Sequence, residues 1–251
     1  MAQRAALVTG ATHRIGAEIV ADLAANGFAL AIHHRNSHRD AQALVDRLKD
    51  KGAVAFALEA DLREPGSTRS LIARARNAIG PIDLLVNNAS VFESDTPQAP
   101  DMALWDAHFA LHLKAPALLA AGFVAQEELS AGLIVNMIDQ RVWKLTPQFY
   151  SYTLSKAALW AATQTMAQAF APRIRVNAIG PGPTLANKRQ SEADFQAQLS
   201  GLPLRKGPEL AEFGATVRYL YDTPSITGQM IALDGGQHLA WQTPDVTGMA
   251  E

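Results

Sequence analysis

Cysteine is missing from the 251 residues. Its absence excludes disulfides, thiolate-held metal and a cysteine nucleophile, and it suits a reducing compartment, so a cytoplasmic location is expected. An excess of either charge is missing too. The 22 Lys plus Arg stand against 24 Asp plus Glu and are scattered, which leaves no electrostatic footprint for nucleic acid. The longest apolar run, residues 115–125, is well short of the roughly 20 residues of a bilayer-spanning helix, so no membrane partner is expected. Nor is a secretory leader, because a core-like pattern already begins at Ala5. Charged residues make 18% of the chain against 48% hydrophobic ones, a balance that permits a large buried core. The 17 Gly and 13 Pro are too few for collagen-like or low-complexity sequence.

What is present is an alternation of short apolar runs with helical patterns, the signature of a parallel sheet covered by helices. Strands are expected over residues 5–8, 29–33, 53–59, 84–86, 133–137, 174–178 and 230–233. Ile15, Ile19 and Leu23 recur every four residues and give a first helix that Asn26-Gly27 stops. Leu44, Val45 and Leu48 form the stripe of a second over 39–51, and Pro65 opens a third that Gly80-Pro81 closes. Residues 101–129 read as a long helical stretch with Pro116 at a kink or restart, and 149–170 as a nearly apolar helix. The expected architecture is one α/β domain over 1–251, a doubly wound, seven-stranded parallel sheet with helices on both faces. Residues 180–207, rich in Gly, Pro and polar side chains, read as a lid, and 242–251 as a loose tail.

Two groups of residues carry chemistry. Gly10, Arg14, Ile15 and Gly16 sit where the first strand hands over to the first helix, the place where this architecture holds a pyrophosphate; an ordinary strand-to-helix turn is the plain alternative. Tyr152 and Lys156 stand four residues apart on a helix face, where an ammonium lowers the pKa of a phenol and readies it for proton transfer. The end of the second strand, His34-Arg35-Asn36-Ser37, has no carboxylate until Asp40. An acid there would hold the ribose 2′-hydroxyl of NAD. Arg35 instead offers a fork to a 2′-phosphate, with Asn36 and Ser37 as further donors, so NADPH is the expected cofactor. His33, His34 and His38 suggest a metal cluster, but neighbouring strand residues point to opposite faces and no carboxylate stands at chelating spacing in the chain, so no metal is expected. Asn88-Ala89-Ser90 matches a glycosylation acceptor at a buried strand end, a chance match.

Gly10, Asp61-Leu62, Asn87-Asn88-Ala89, Tyr152 with Lys156, and Pro181-Gly182 all fall at C-terminal strand edges or just beyond. Over residues 4–240 this arrangement resembles the short-chain dehydrogenase/reductase family. The resemblance implies Tyr152 as proton donor and Lys156 holding the ribose. It also implies Asp61 and Leu62 at the adenine, Asn88 positioning the cofactor, and Pro181, Gly182, Pro183 and Thr184 at the nicotinamide end. Arg14, Asp139 and Ser90 depart from the commonest pattern, in which glycine, serine and glycine stand there. Together they resemble the pteridine reductase branch, which includes dihydromonapterin and dihydrofolate reductases. That likeness implies Asp139 paired with Tyr152, Phe92 stacked on the pterin, Ser90 lining the slot, and Arg14 facing both pyrophosphate and pterin. His112 replaces the usual asparagine of the fourth helix and has no counterpart.

Plain structural alternatives stand beside these roles: Phe92 as a core aromatic and Asp139 as a strand-end cap. The expected activity is NADPH-dependent reduction of a pterin-like heterocycle. A reductase of 3-oxoacyl thioesters or other ketones is the rival within the fold, and a non-catalytic dinucleotide sensor the rival outside it. A homotetramer is expected, because residues 157–170 are apolar around nearly the whole helix.

Overall fold

The computed structural model describes residues 4–186, 190–242 and 247. Its strands are β1 (Ala5–Val8), β2 (Ala29–His34), β3 (Ala55–Glu59), β4 (Leu84–Asn87), β5 (Gly132–Met137), β6 (Ile174–Pro181) and β7 (Met230–Leu233). All pair in parallel, in the order β3-β2-β1-β4-β5-β6-β7. The helices are α1 (Arg14–Ala25), α2 (His38–Asp50), α3 (Pro65–Ile79), α4 (Met102–Phe109), α5 (Ala115–Val124), α6 (Tyr150–Phe170), α7 (Glu192–Ser200) and α8 (Leu210–Asp222). Strand order reverses direction at β1 and β4, the switch point of a doubly wound sheet.

The strands read as unbroken apolar runs because both sheet faces are covered. Ala6, Val8, Leu30 and Ile32 pack under Ile19 and Leu23 of α1, Leu44 and Leu48 of α2, and Phe213 and Val217 of α8. Leu7, Leu85, Ile134 and Val176 face the other way, against Leu71 and Ile72 of α3 and Leu119 and Phe123 of α5. Side chains of this size are each worth about 2 kcal/mol when buried. Arg175 on β6 fastens the C-terminus of α8 by donating to the carbonyls of Leu220 at 2.7 Å and Tyr221 at 2.9 Å, satisfying acceptors that a helix end leaves open.

Several expectations need correcting. The long helical stretch is continuous from Met102 to Val124 and stops before residue 129. Its irregularity is a π-helical turn, Ala110–Lys114, just ahead of Pro116, which sits in the first turn of α5. With 23 residues and a mean hydropathy of 1.3 over an 18-residue window the run is long and apolar enough to cross a membrane by those measures, unlike the short run read from sequence. Its packing is that of a sheet-covering helix, with Leu119, Ala120 and Phe123 in the core. The helix α8 had no counterpart in the sequence pattern, its stripe of Phe213, Val217 and Leu220 being too short to stand out. β6 runs on to Pro181, and the segment read as a lid contains α7, opened by a Ser191/Asp194 capping box. Residues 187–189 of that segment and nearly all of the tail lie outside the described residues.

Candidate active site

After β1 the chain turns at Gly10 with φ +59°, a conformation glycine adopts without a side-chain clash. A Cβ there would lie 2.8 Å from the Ala89 Cα, and one at Gly16 would lie 2.6 Å from the Asn88 Nδ2. Asn88 locks the turn by donating to the carbonyls of Thr9 and Gly10 at 3.0 and 2.9 Å. The Gly10 N–H donates to His33 Nδ1 at 3.1 Å, so the His33 proton lies on Nε2, which donates to Ala60 O at 3.0 Å. Burial holds His33 down at about 4, hence neutral. The following helix, α1, starts at His13 without a side-chain cap and has no acid in its first turn. Its N–H groups and positive dipole end therefore remain unspent, which fits an anionic pyrophosphate.

The end of β5 and the start of α6 bring the candidate reacting groups together. The Tyr152 hydroxyl donates to Asp139 Oδ2 at 3.0 Å, while Asp139 Oδ1 accepts the Arg141 N–H at 2.9 Å. Both readings of Asp139 therefore hold, as a cap of the short helical turn Gln140–Val142 and as the partner of Tyr152. Lys156 is buried and donates to Met137 O at 2.8 Å, one turn beyond Tyr152 on α6. The expected lowering of the Tyr152 pKa is reversed. Burial and then the Asp139 carboxylate push the phenol well above its usual value, while burial pulls Lys156 down to about 8. Burial likewise raises the Asp139 pKa. The phenol is thus held protonated, the state a proton donor needs.

His112 lies in the π-helical turn, a feature frequent at functional sites. Its Nε2 accepts the Val91 N–H at 3.2 Å, and a backbone N–H only donates, so the proton sits on Nδ1 and bonds Ser155 Oγ at 2.8 Å. Ser90 Oγ also contacts Nε2, at 3.0 Å. The imidazole pins residues 90–91 to α6 and stands at 88° to the Tyr152 ring, with centroids 5.3 Å apart. One signal for this clamp was present in the sequence: His108 and His112 repeat every four residues, as do Ser151 and Ser155, and the two pairs bond across facing helices.

A cavity of about 430 Å³ brings together Arg14, Ile15, Asn88, Ser90, Phe92, Asp139, Tyr152, Lys156, Pro181, Gly182 and Thr184. Phe92 is not a core aromatic. It stacks on Phe149 at 4.2 Å and 9°, with the Arg141 guanidinium 5.0 Å above the Phe149 ring. Phe149 and Arg141 escaped the sequence analysis; Phe149 has φ +56°, strain of a kind that clusters at functional sites. Arg14, also left-handed at φ +52°, donates to the carbonyls of Leu185 and Ala186 at 3.2 Å each, tying the glycine turn to the segment after β6. Gly10, Gly16, Leu62, Ala89, Arg35, Asn36 and Ser37 lie outside this cavity, at or just past the ends of β1 to β4. Asp61 forks with Arg63 at 2.5 to 3.2 Å, and that bond holds its pKa down at about 2. His34 is buried and lines a different cavity, shared with His38 and Glu59.

The short chain dehydrogenase family pattern matches residues 4–197. Among solved structures, the chain is similar to FolM alternative dihydrofolate reductase 1 from Brucella suis in complex with NADP, with 59% identity, a TM-score of 0.94, and 97% of this chain and 98% of that one covered. FolM alternative dihydrofolate reductase 1 from Brucella canis, complexed with NADP, is 57% identical with a TM-score of 0.92 and the same coverage. A 3-oxoacyl-[acyl-carrier-protein] reductase FabG from Staphylococcus epidermidis is 28% identical over 242 residues, 94% of this chain and 99% of that protein.

Proposed function

This chain belongs to the short-chain dehydrogenase family, and from that membership we propose that it is an NADPH-dependent reductase of a pterin-like heterocycle of the dihydropterin, dihydromonapterin or dihydrofolate type. Similarity to two FolM alternative dihydrofolate reductases bound to NADP supports both cofactor and substrate class. Gly10, Arg14, Ile15 and Gly16 would cradle the pyrophosphate, Asp61 and Leu62 border the adenine, and Asn88, Ala89, Ser90, Lys156, Pro181, Gly182 and Thr184 hold the ribose and nicotinamide. Bound there, NADPH supplies a hydride. Tyr152 would give its phenol proton to the ring nitrogen of a C=N bond, leaving N–H, and the ammonium of Lys156, 5.7 Å from the centre of the phenol ring, would offset the charge of the phenolate left beside Asp139.

The observation that carries this reading is the carboxylate at position 139, hydrogen-bonded to the donor phenol. Ketone reduction builds negative charge on oxygen and calls for donors, whereas a carboxylate repels that charge. A ring C=N needs a proton at nitrogen, and the ring N–H and amino groups of a pterin give Asp139 donors to accept from. The flat Phe92/Phe149 pair suits a flat substrate. The test pairs dihydropterin and ketone turnover in wild type and Asp139→Ser. Pterin turnover in wild type that falls at least about tenfold in the variant is expected. A wild type that ignores pterins but reduces ketones, or an unchanged Asp139→Ser, overturns the reading.

The cytoplasm and a homotetramer belong to the same proposal. On α6, Ala157, Ala158, Trp160, Ala161, Ala162 and Ala169 are exposed or only half-buried in the single chain, an apolar surface that a second copy would cover.

A further inference from the structure

Outside the hydride site, β2 and β3 pair in parallel so that His34 stands beside Glu59, and neighbours in register share a sheet face. His38 opens α2 four residues after His34 and returns over the same face. One ligand atom from each of the three lies within 4.8 Å of the others. The two imidazole centres are 5.8 Å apart, near the roughly 5 Å of two imidazoles on one tetrahedral ion with Zn–N of about 2.0–2.1 Å. His34 is 98% buried by its 2% exposure, and its Nδ1 has no hydrogen-bond partner among the described residues, a condition that costs free energy until a partner arrives. Glu59 makes the pocket unsuitable for an anion. Lys49, which also lines it, keeps its ammonium 5.1 Å over the Phe56 ring. The carboxylate missing from the chain's local spacing is supplied across the sheet.

We propose that His34, His38 and Glu59 form a zinc site, two imidazoles and one carboxylate with a fourth position open to water, that clasps the ends of β2 and β3 to the first turn of α2. Imidazole and carboxylate ligands suit Zn²⁺. His34 is fixed by packing, while His38 and Glu59 are exposed and close the remaining gap by side-chain rotation. The clasp spans the turn Arg35–Asn36–Ser37 and lies two strands away from β4 and three from β5, so it takes no part in proton or hydride transfer. The test uses the untagged full chain, stripped with chelator and titrated with Co²⁺ and then Zn²⁺. One Co²⁺ per chain with a tetrahedral visible band, its displacement by Zn²⁺, and a Zn²⁺-dependent rise in Tm are expected. His38→Gln and Glu59→Gln should each weaken binding at least about tenfold and remove the rise in Tm. No saturable binding below about 100 μM metal, or equal affinity in wild type and both variants, overturns the proposal.

Discussion

Tyr152 and Asp139 share one hydrogen bond of 3.0 Å, and the chemistry turns on which group keeps the proton. With the phenol pushed far above neutrality, the pair rests as phenol and acceptor and needs no prior deprotonation to donate. Tyr152→Phe deletes that proton while keeping the ring against Phe92 and His112. Turnover should fall about a hundredfold or more, with the NADPH dissociation constant held within about threefold, measured by single-turnover kinetics and fluorescence titration. His33 makes a second prediction. Its folded pKa of about 4 lies below the ordinary 6.5, so the unfolded chain binds more protons between those values. The stabilisation is complete above pH 6.5 and is lost as pH falls through 4. Protonation at Nδ1 would also expel the Gly10 N–H. Urea unfolding should show about 2 kcal/mol lost from pH 7.5 to pH 5 in wild type beyond any loss in His33→Gln, which keeps a donor and an acceptor but does not titrate. Parallel losses in the two proteins would place the acid sensitivity elsewhere.

At the scale of elements, the candidate site gathers where strands end. The turn from β2 into α2 carries Arg35 and Asn36 exposed, with Ser37 half-buried, and Arg35 close enough to Asp61 to help lower its pKa. An exposed guanidinium at that turn should favour the cofactor with a 2′-phosphate by roughly 2 kcal/mol, about thirtyfold in kcat/KM. Arg35→Ala should erase most of that preference by raising KM for NADPH, leaving NADH kinetics nearly unchanged. Equal efficiency with both cofactors in wild type would refute it. Inside the fold, β4, β5 and α6 are joined by a buried chain: Asn87 donates to Asn136 at 2.8 Å and Asn136 to Thr163 at 2.9 Å. That chain fixes α6, and with it Tyr152 and Lys156, over the ends of β4 and β5.

For the whole molecule, the alanine-rich surface of α6 and the exposed Trp143, Leu239 and Trp241 are apolar groups that the proposed assembly would cover. Light scattering at micromolar concentration should give a mass four times 26.9 kDa. Ala161→Glu, on the exposed side of α6, should lower the assembly state, because in the proposed symmetric assembly a charge on that face would meet its own copy. A monomeric wild type would contradict the expected assembly.

The sequence by itself determined the sheet, since strands covered on both faces must be apolar throughout, and such short runs stand out between the glycine turns and the helical stripes. It also carried the glycine turn and the Tyr152/Lys156 pair, because these sit at short spacings along the chain, whereas the departure at Asp139 was legible only against the family pattern it resembles. Tertiary structure decided everything that depends on neighbours from distant segments. Burial, followed by the Asp139 carboxylate, reversed the direction of the Tyr152 shift and outweighs the opposing Arg141 guanidinium, while the Lys156 ammonium is bonded instead to Met137 O. Phe149 arrived at Phe92 from across the fold, and His112 became a clamp because α6 presents Ser155 to it. Glu59 came beside His34 only through the register of β2 and β3, which no one-dimensional spacing encodes, because strand pairing is set by packing of whole faces rather than by separation along the chain.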